Sequence, residues 1–234
     1  MTNNISERKF VVQNLIPANS LTVFTGDVCV GKTTNMVSLS HSLATGTNFA
    51  GLQTEKQHCH LLAPEGKADT NQIFVACNKS IQDGGDCRIY DMLIKINTEV
   101  GIAQIKSLLL LNAAENDREP ITIFIDNADL FVEHSDSFSR DYGEMMRALR
   151  QLLREHPEVS FVVSIHSGES PALMPHADGM YKLSKTESKG QNVDLTITPR
   201  ITRFGTMPEP ITMKFGRWEN DSKHGAIPFI DYRK

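Results

Sequence analysis

The segment Gly26-Asp27-Val28-Cys29-Val30-Gly31-Lys32-Thr33 constrains this chain more than any other feature. It has the spacing G-x-x-x-x-G-K-T. Ahead of it runs a short apolar, β-branched stretch, Leu21-Thr22-Val23-Phe24-Thr25; behind it, apolar side chains recur at Met36, Val37, Leu39 and Leu43. The pattern predicts a strand, a glycine loop and a helix, with Gly46 closing the helix as a residue that tolerates positive φ. A loop of this kind turns successive backbone N–H groups toward an anion at the positive end of the helix. Gly26, Asp27, Val28, Cys29, Val30, Gly31, Lys32, Thr33 and Thr34 are therefore the expected binding residues for ATP. Lys32 would reach the β- and γ-phosphates, Thr33 would present its hydroxyl to Mg2+, and Thr34 would add a contact near the α-phosphate.

Turnover needs more than binding. Ile121-Thr122-Ile123-Phe124-Ile125-Asp126 reads as a buried strand ending in a carboxylate, which places Asp126 on the magnesium side of the site together with Thr33. Leu61-Leu62-Ala63-Pro64-Glu65-Gly66 puts Glu65 at the carboxyl end of another expected strand, where it could activate a water in line with the γ-phosphate.

The rest of the chain supports an α/β class. Strands are expected at His58 to Ala63, Arg88 to Leu93 and Ser160 to His166, and helices include Ile102 to Ala114 and Tyr142 to Glu155, an alternation that implies a largely parallel sheet. In the second of these helices Met145, Leu149, Leu152 and Leu153 should face the sheet, leaving Arg147, Arg150 and Arg154 on a solvated face. After Asp178, Met180 to Leu183, Val193 to Thr198 and Ile211 to Phe215 alternate without intervening helices and read as antiparallel strands extending the sheet edge. The expectation is a single domain over residues 1–234, since 234 residues with 40% hydrophobic content can bury one sizeable core.

A net charge of -4 argues against a surface that coats DNA or anionic membrane. The polar amino terminus and the lack of a long apolar run point to a cytoplasmic chain without a membrane partner. His58-Cys59-His60, completed by Cys77 or Cys87, could suggest zinc, but strand alternation would send the cluster to opposite faces.

Several segments in order resemble the RecA-type ATPases, and among them the RepA-like branch of plasmid and phage replication proteins, related to KaiC and DnaB. Leu15-Ile16-Pro17-Ala18-Asn19-Ser20-Leu21-Thr22 precedes the glycine loop, and Leu43-Ala44-Thr45-Gly46-Thr47-Asn48-Phe49-Ala50-Gly51-Leu52 follows its helix. The Glu65-Gly66 element and the Asp126 strand come next, then Phe161-Val162-Val163-Ser164-Ile165-His166 and Leu195-Thr196-Ile197-Thr198, leading to Arg203-Phe204-Gly205. The resemblance spans Val11 to Phe215. It implies a RecA-like core whose mostly parallel sheet is extended by antiparallel C-terminal strands, and a homo-oligomeric ring, expected as a hexamer, with ATP at each interface. In that ring Glu65 would polarise water, His166 would sense the γ-phosphate, and Arg203 would be the arginine finger supplied to the neighbour, with Arg200 as a second candidate because Ile201 stands where the family often has lysine.

Two departures bear on DNA. Ser167 to Tyr181 contains Glu169 and Asp178 but no lysine or arginine, and Val132 to Gly143 carries Glu133, Asp136 and Asp141 against Arg140 alone. Loops without cations gain nothing from counterion release, so single-stranded DNA as a direct partner is weakened. The leading function is a phage or plasmid helicase in DNA replication or recombination. The alternative is an ATP-gated DNA-pairing, annealing or assembly protein without unwinding activity. A small-molecule kinase ranks last, for lack of an Arg-rich lid after the Asp126 strand.

Overall fold

The computed structural model describes residues 8–64, 86–135, 137–166, 173–187, 193–205, 207–217 and 228–231. In chain order the elements are β1 (Phe10–Val12), β2 (Ile16–Pro17), β3 (Leu21–Thr25), α1 (Lys32–Thr45), β4 (His58–Leu62), β5 (Cys87–Tyr90), α2 (Glu99–Glu115), β6 (Ile121–Ile125), a 3-10 turn (Ala128–Leu130), α3 (Phe138–Glu155), β7 (Val159–Ile165), β8 (Gly179–Glu187), β9 (Val193–Thr202), β10 (Ile211–Arg217) and β11 (Pro228–Asp231). Among the described residues the main sheet runs β11-β10-β9-β8-β3-β7-β6-β4-β5. β5, β4, β6, β7, β3 and β8 are mutually parallel, and β9, β10 and β11 continue antiparallel.

Near-continuous apolar runs are what a parallel sheet covered on both faces requires. Ile121, Ile123 and Ile125 of β6 and Phe161, Val163 and Ile165 of β7 face one layer, which α2 and α3 cover with Ile105, Leu109, Met145 and Leu149. Phe24, Phe124 and Val162 face the other, covered by Met36, Leu39 and Leu43 of α1 and by the β1–β2 hairpin. α1 ends at Gly46, in the left-handed region at φ 74, as its sequence position suggested.

Two expectations need adjustment. β8 does not begin an antiparallel edge, because it lies parallel beside β3, with Thr22 opposite Gly179, and the antiparallel run starts only at β9. Arg150 is not on a solvated face, since its Nη1 reaches Asp178 Oδ2 at 2.8 Å. His58 is occupied by acidic partners, its Nδ1 lying 2.5 Å from Asp86 Oδ2 and its Nε2 2.9 Å from Glu119 Oε2. Cys59 packs toward α1, the face opposite His58 and His60, and Cys77 falls outside the described residues.

Candidate nucleotide site

Register decides which side chains meet. Thr25 of β3 sits beside Ile165 of β7, and Val163 beside Ile125 of β6. The glycine loop, His166 and Asp126 therefore emerge together at the carboxyl edge of three adjacent parallel strands, the edge where open α/β sheets place their ligands.

The loop runs from Gly26 to Gly31. A Cβ on Gly26 would approach Leu183 O and the Val30 side chain at 2.9 Å, so the loop packs directly against β8. Gly31 has φ 101 and begins α1, and Cys29 has φ 61. These left-handed residues bend the chain back on itself, and Asp27, Val28 and Cys29 stay exposed at its tip. The Lys32 ammonium lies under the arch and donates to Gly26 O at 2.8 Å and to Asp27 O at 2.7 Å. Lys32 is 4% exposed, and burial pulls its pKa below the ordinary value. The Asp126, Asp129 and Asp27 carboxylates oppose that pull in part.

A buried ammonium satisfied by neutral carbonyls and distant carboxylates is a site in want of an anion. That makes the residues present fit a nucleoside triphosphate. Thr33 and Thr34 stand half-buried in the first turn of α1, and Thr33 and Asp126 are the residues that would hold Mg2+. The bound ion would supply charge neutralisation on the phosphate oxygens.

Asp126 is nearly buried, and its Oδ1 accepts a hydrogen bond from the Ser164 hydroxyl. This brace follows from register, since Ser164 is the residue beside Asp126 one step beyond the Ile125 and Val163 pair. Backbone N–H of Asp126 also donates to Leu62 O at 3.0 Å, tying it to β4. His166 lies one residue beyond Ile165, level with Gly26, and its Nδ1 is buried without a partner among the described residues. Glu65 falls outside the described residues.

Two participants escaped sequence reading. Ser164 carries no motif signal, and only strand pairing reveals it. Asp129 stands in the 3-10 turn after Asp126, bears electrostatically on Lys32, and accepts the hydroxyl hydrogen of buried Tyr142. Its place three residues after a strand-ending carboxylate was a usable sign. The turn is clamped from outside. Lys95 Nζ donates to Leu130 O at 2.7 Å and Val132 O at 2.9 Å, and Asn97 exchanges hydrogen bonds with the Glu133 backbone.

Arg203 is elsewhere. Thr202 pairs with Gly179, which pairs with Thr22 at the beginning of β3. Four residue steps separate that level from Gly26, about 13 Å at ~3.3 Å per residue, so Arg203 lies near the amino edge of the sheet, away from its own loop. Its Nη2 donates to Met174 O at 2.9 Å, and the side chain is exposed. Arg200, also exposed, lies on β9 at the register shift between Pro199 and Ile201.

Fold and loop geometry together define a P-loop ATPase with a RecA-like core. The chain belongs to the AAA domain family, whose model matches residues 1–172. No curated protein matches the sequence. Among solved structures, one described as an ATPase domain superposes with a TM-score of 0.61 at 14% identity, covering 90% of this chain and 85% of that one. A DnaB-like replicative helicase, described with its interactions with primase, gives a TM-score of 0.62 at 14% identity over 86% of this chain, which spans 57% of the helicase. The KaiC-like protein PH0186 from the hyperthermophilic archaeon Pyrococcus horikoshii OT3 gives 0.58 at 15% identity, covering 94% and 93% of the two chains. At such identities the likeness shows the fold. No described helix is long and apolar enough to cross a membrane.

Proposed function

We propose that this chain is an oligomeric ATPase acting in DNA replication or recombination, a phage or plasmid helicase of the RepA-like kind, whose hydrolytic site is completed by a neighbouring copy. The observation that carries the reading is the separation just described. Lys32, Thr33, Asp126 and His166 meet at the carboxyl edge, whereas Arg203 lies near the opposite edge, beyond reach of its own phosphates. In this reading Lys32 leaves the loop carbonyls for the β- and γ-phosphate oxygens, and the N–H groups of residues 27–33 close around them. Thr33 and Asp126 would hold Mg2+, and Ser164 fixes the Asp126 carboxylate so that no reorientation is needed during reaction. Glu65 takes the proton of the attacking water. His166, its Nδ1 without a partner among the described residues and level with Gly26, is suited to respond to the terminal phosphate. Arg203 of an adjacent copy neutralises the charge that develops on the transferred group, which couples turnover to assembly.

The replicative-helicase likeness supports a DNA role. A second reading, ATP-gated assembly or annealing without unwinding, is favoured by one local feature. In the segment from Val132 to Gly143, Asp141 is committed to the Ser135 backbone N–H at 2.7 Å and its hydroxyl at 2.6 Å. Glu133 is exposed there, so the loop adds no net cation toward a strand of DNA. The test measures ATPase rate with and without single-stranded DNA while light scattering follows mass. Rate stimulation by DNA in an assembled species supports the helicase reading. Assembly driven by ATP with a rate indifferent to DNA supports the second, and an active monomer overturns both.

A further inference from the structure

α2 is apolar on both of its faces, and a single copy of the chain covers only one of them. Ile105, Leu108 and Leu109 pack into the core layer beneath it. On the opposite side Val100, Ala103, Ser107, Leu110, Leu111 and Ala114 are exposed, and their intervals of three and four residues make them one stripe along the helix. Val100 is 70% exposed, Leu110 64% and Leu111 58%, so three of the six exposed large apolar side chains among the described residues share this face. α3, in the same layer, shows what water ordinarily demands, since its outward positions are Arg147, Gln151, Arg154 and Glu155. A helix apolar all round is one that other protein buries all round.

The stripe is held rigidly at both ends. Thr98 caps the helix by accepting from Gly101 N–H at 3.1 Å, and the Asn116 amide donates to Asn112 Oδ1 at 2.9 Å in the last turn. Charges at its margins are paired within the chain: Lys106 Nζ lies 2.8 Å from Glu155 Oε2, and Glu115 Oε2 lies 2.6 Å from Arg88 Nη1. The stripe itself carries no charge, so it has nothing with which to recruit nucleic acid or a charged peptide.

We infer that this face docks on the same face of a second copy of the chain, the two α2 helices lying antiparallel about a twofold axis at Ser107. The order of side-chain sizes selects that occupant. A twofold at Ser107 brings each position level with the one equally far beyond it: Val100 with Ala114, Ala103 with Leu111, and Gln104 with Leu110. Each bulky apolar group then meets a small or unbranched one, as interdigitating helices require. Gln104 stands at the margin, where its amide keeps access to water. Ser107, on the axis, already donates its hydroxyl to Ala103 O at 3.0 Å, so covering it leaves no polar group unpaired. The same pairing brings Glu99, in the first turn of one helix, to the end of the other, where Arg118 is exposed. Val100 to Ala114 spans about 21 Å at ~1.5 Å per residue, and one such helix pair covers less than the roughly 800 Å² per partner of a standard interface. Two isolated copies should therefore associate weakly. A twofold contact joins copies in pairs and is distinct from the head-to-tail contacts that close a ring, so the inference stands apart from the reading of Arg203.

The test places single cysteines on the full chain, without nucleotide, and maps disulfides by mass spectrometry after mild oxidation. Ser107→Cys should link two copies through the substituted position itself, since a residue on the axis faces its own equivalent. Val100→Cys chains mixed with Ala114→Cys chains should link to one another. Glu55→Cys, exposed on the other side of the sheet beside β1, should do neither. Light scattering from about 1 to about 100 µM reads the association directly. Leu111→Glu should shift it at least about 10-fold upward in concentration, with an unchanged melting temperature for the dilute chain because the side chain is exposed. A chain that stays monomeric over that range, or a Ser107→Cys chain that links no faster than Glu55→Cys, overturns the inference. Association that persists unaltered in Leu111→Glu puts the contact on another surface and overturns it as well.

Discussion

Acid should weaken this protein through the buried His60. His60 of β4 is 3% exposed, packs with its ring centroid 5.2 Å from that of Tyr90, and has a buried Nδ1 without a partner among the described residues. Desolvation is the main cause of its depressed pKa of about 4. Arg88, opposite it on β5, and His58 push the same way, while Asp86 and Glu115 oppose them. The unfolded chain, titrating near 6.5, binds more protons than the folded chain between pH 4 and 6.5. Stability from a neutral His60 is therefore complete above pH 6.5 and is lost as pH falls toward 4. At about 1.36 kcal/mol per pH unit the full effect is about 3 kcal/mol, of which about 2 kcal/mol falls between pH 7 and 4.5. His60→Phe keeps the aromatic contact and removes the titration. Urea unfolding at the two pH values should show wild type losing about 2 kcal/mol more than the variant on acidification. Because Asp126 N–H is bonded to Leu62 O at 3.0 Å on the same strand, nucleotide binding should fade along with stability. Equal pH dependence in the two proteins would refute the reasoning.

Ser164→Ala removes a hydrogen bond to a nearly buried carboxylate, an interaction of about 1.5–3 kcal/mol, and frees Asp126 to rotate. The Mg2+ concentration for half-maximal ATPase should rise roughly 10-fold as that bond is lost, and an unchanged Mg2+ titration contradicts the brace. Gly101→Ala would put a Cβ 2.0 Å from Lys95 O, displacing the segment that clamps the turn after Asp126. Urea unfolding should show a loss on the order of 1–3 kcal/mol, and wild-type stability would mean that the close approach is relieved at no cost. Lys32→Ala should abolish nucleotide binding or turnover. Glu65→Gln should bind ATP yet hydrolyse it about 10²-fold more slowly; radiolabelled ATP turnover at the wild-type rate in that variant would remove Glu65 as the base.

The core of the fold was legible because its signals are local. A strand, a glycine loop and a helix within 25 residues of one another, with apolar runs for β6 and β7, prescribe a two-sided parallel sheet through periodicity and backbone sterics alone. Glu65 remains an expectation of the sequence, as it lies outside the described residues. Position along a strand can be read from composition, but the neighbour beside it cannot. Pairing of β6 with β7 is what brings Ser164 to Asp126, and insertion of β3 between β7 and β8 is what sends Arg203 toward the edge opposite its own loop. Arg150 shows the same limit, since helical spacing gave it an outward face until the turn at 173–178 folded over it and supplied Asp178. Chain sequence determined which chemical groups were present and which local shapes they could take; hydrogen bonding between elements distant along the chain, 38 positions for Ser164 and Asp126 and more than a hundred for β3 and β7, decided which of them meet.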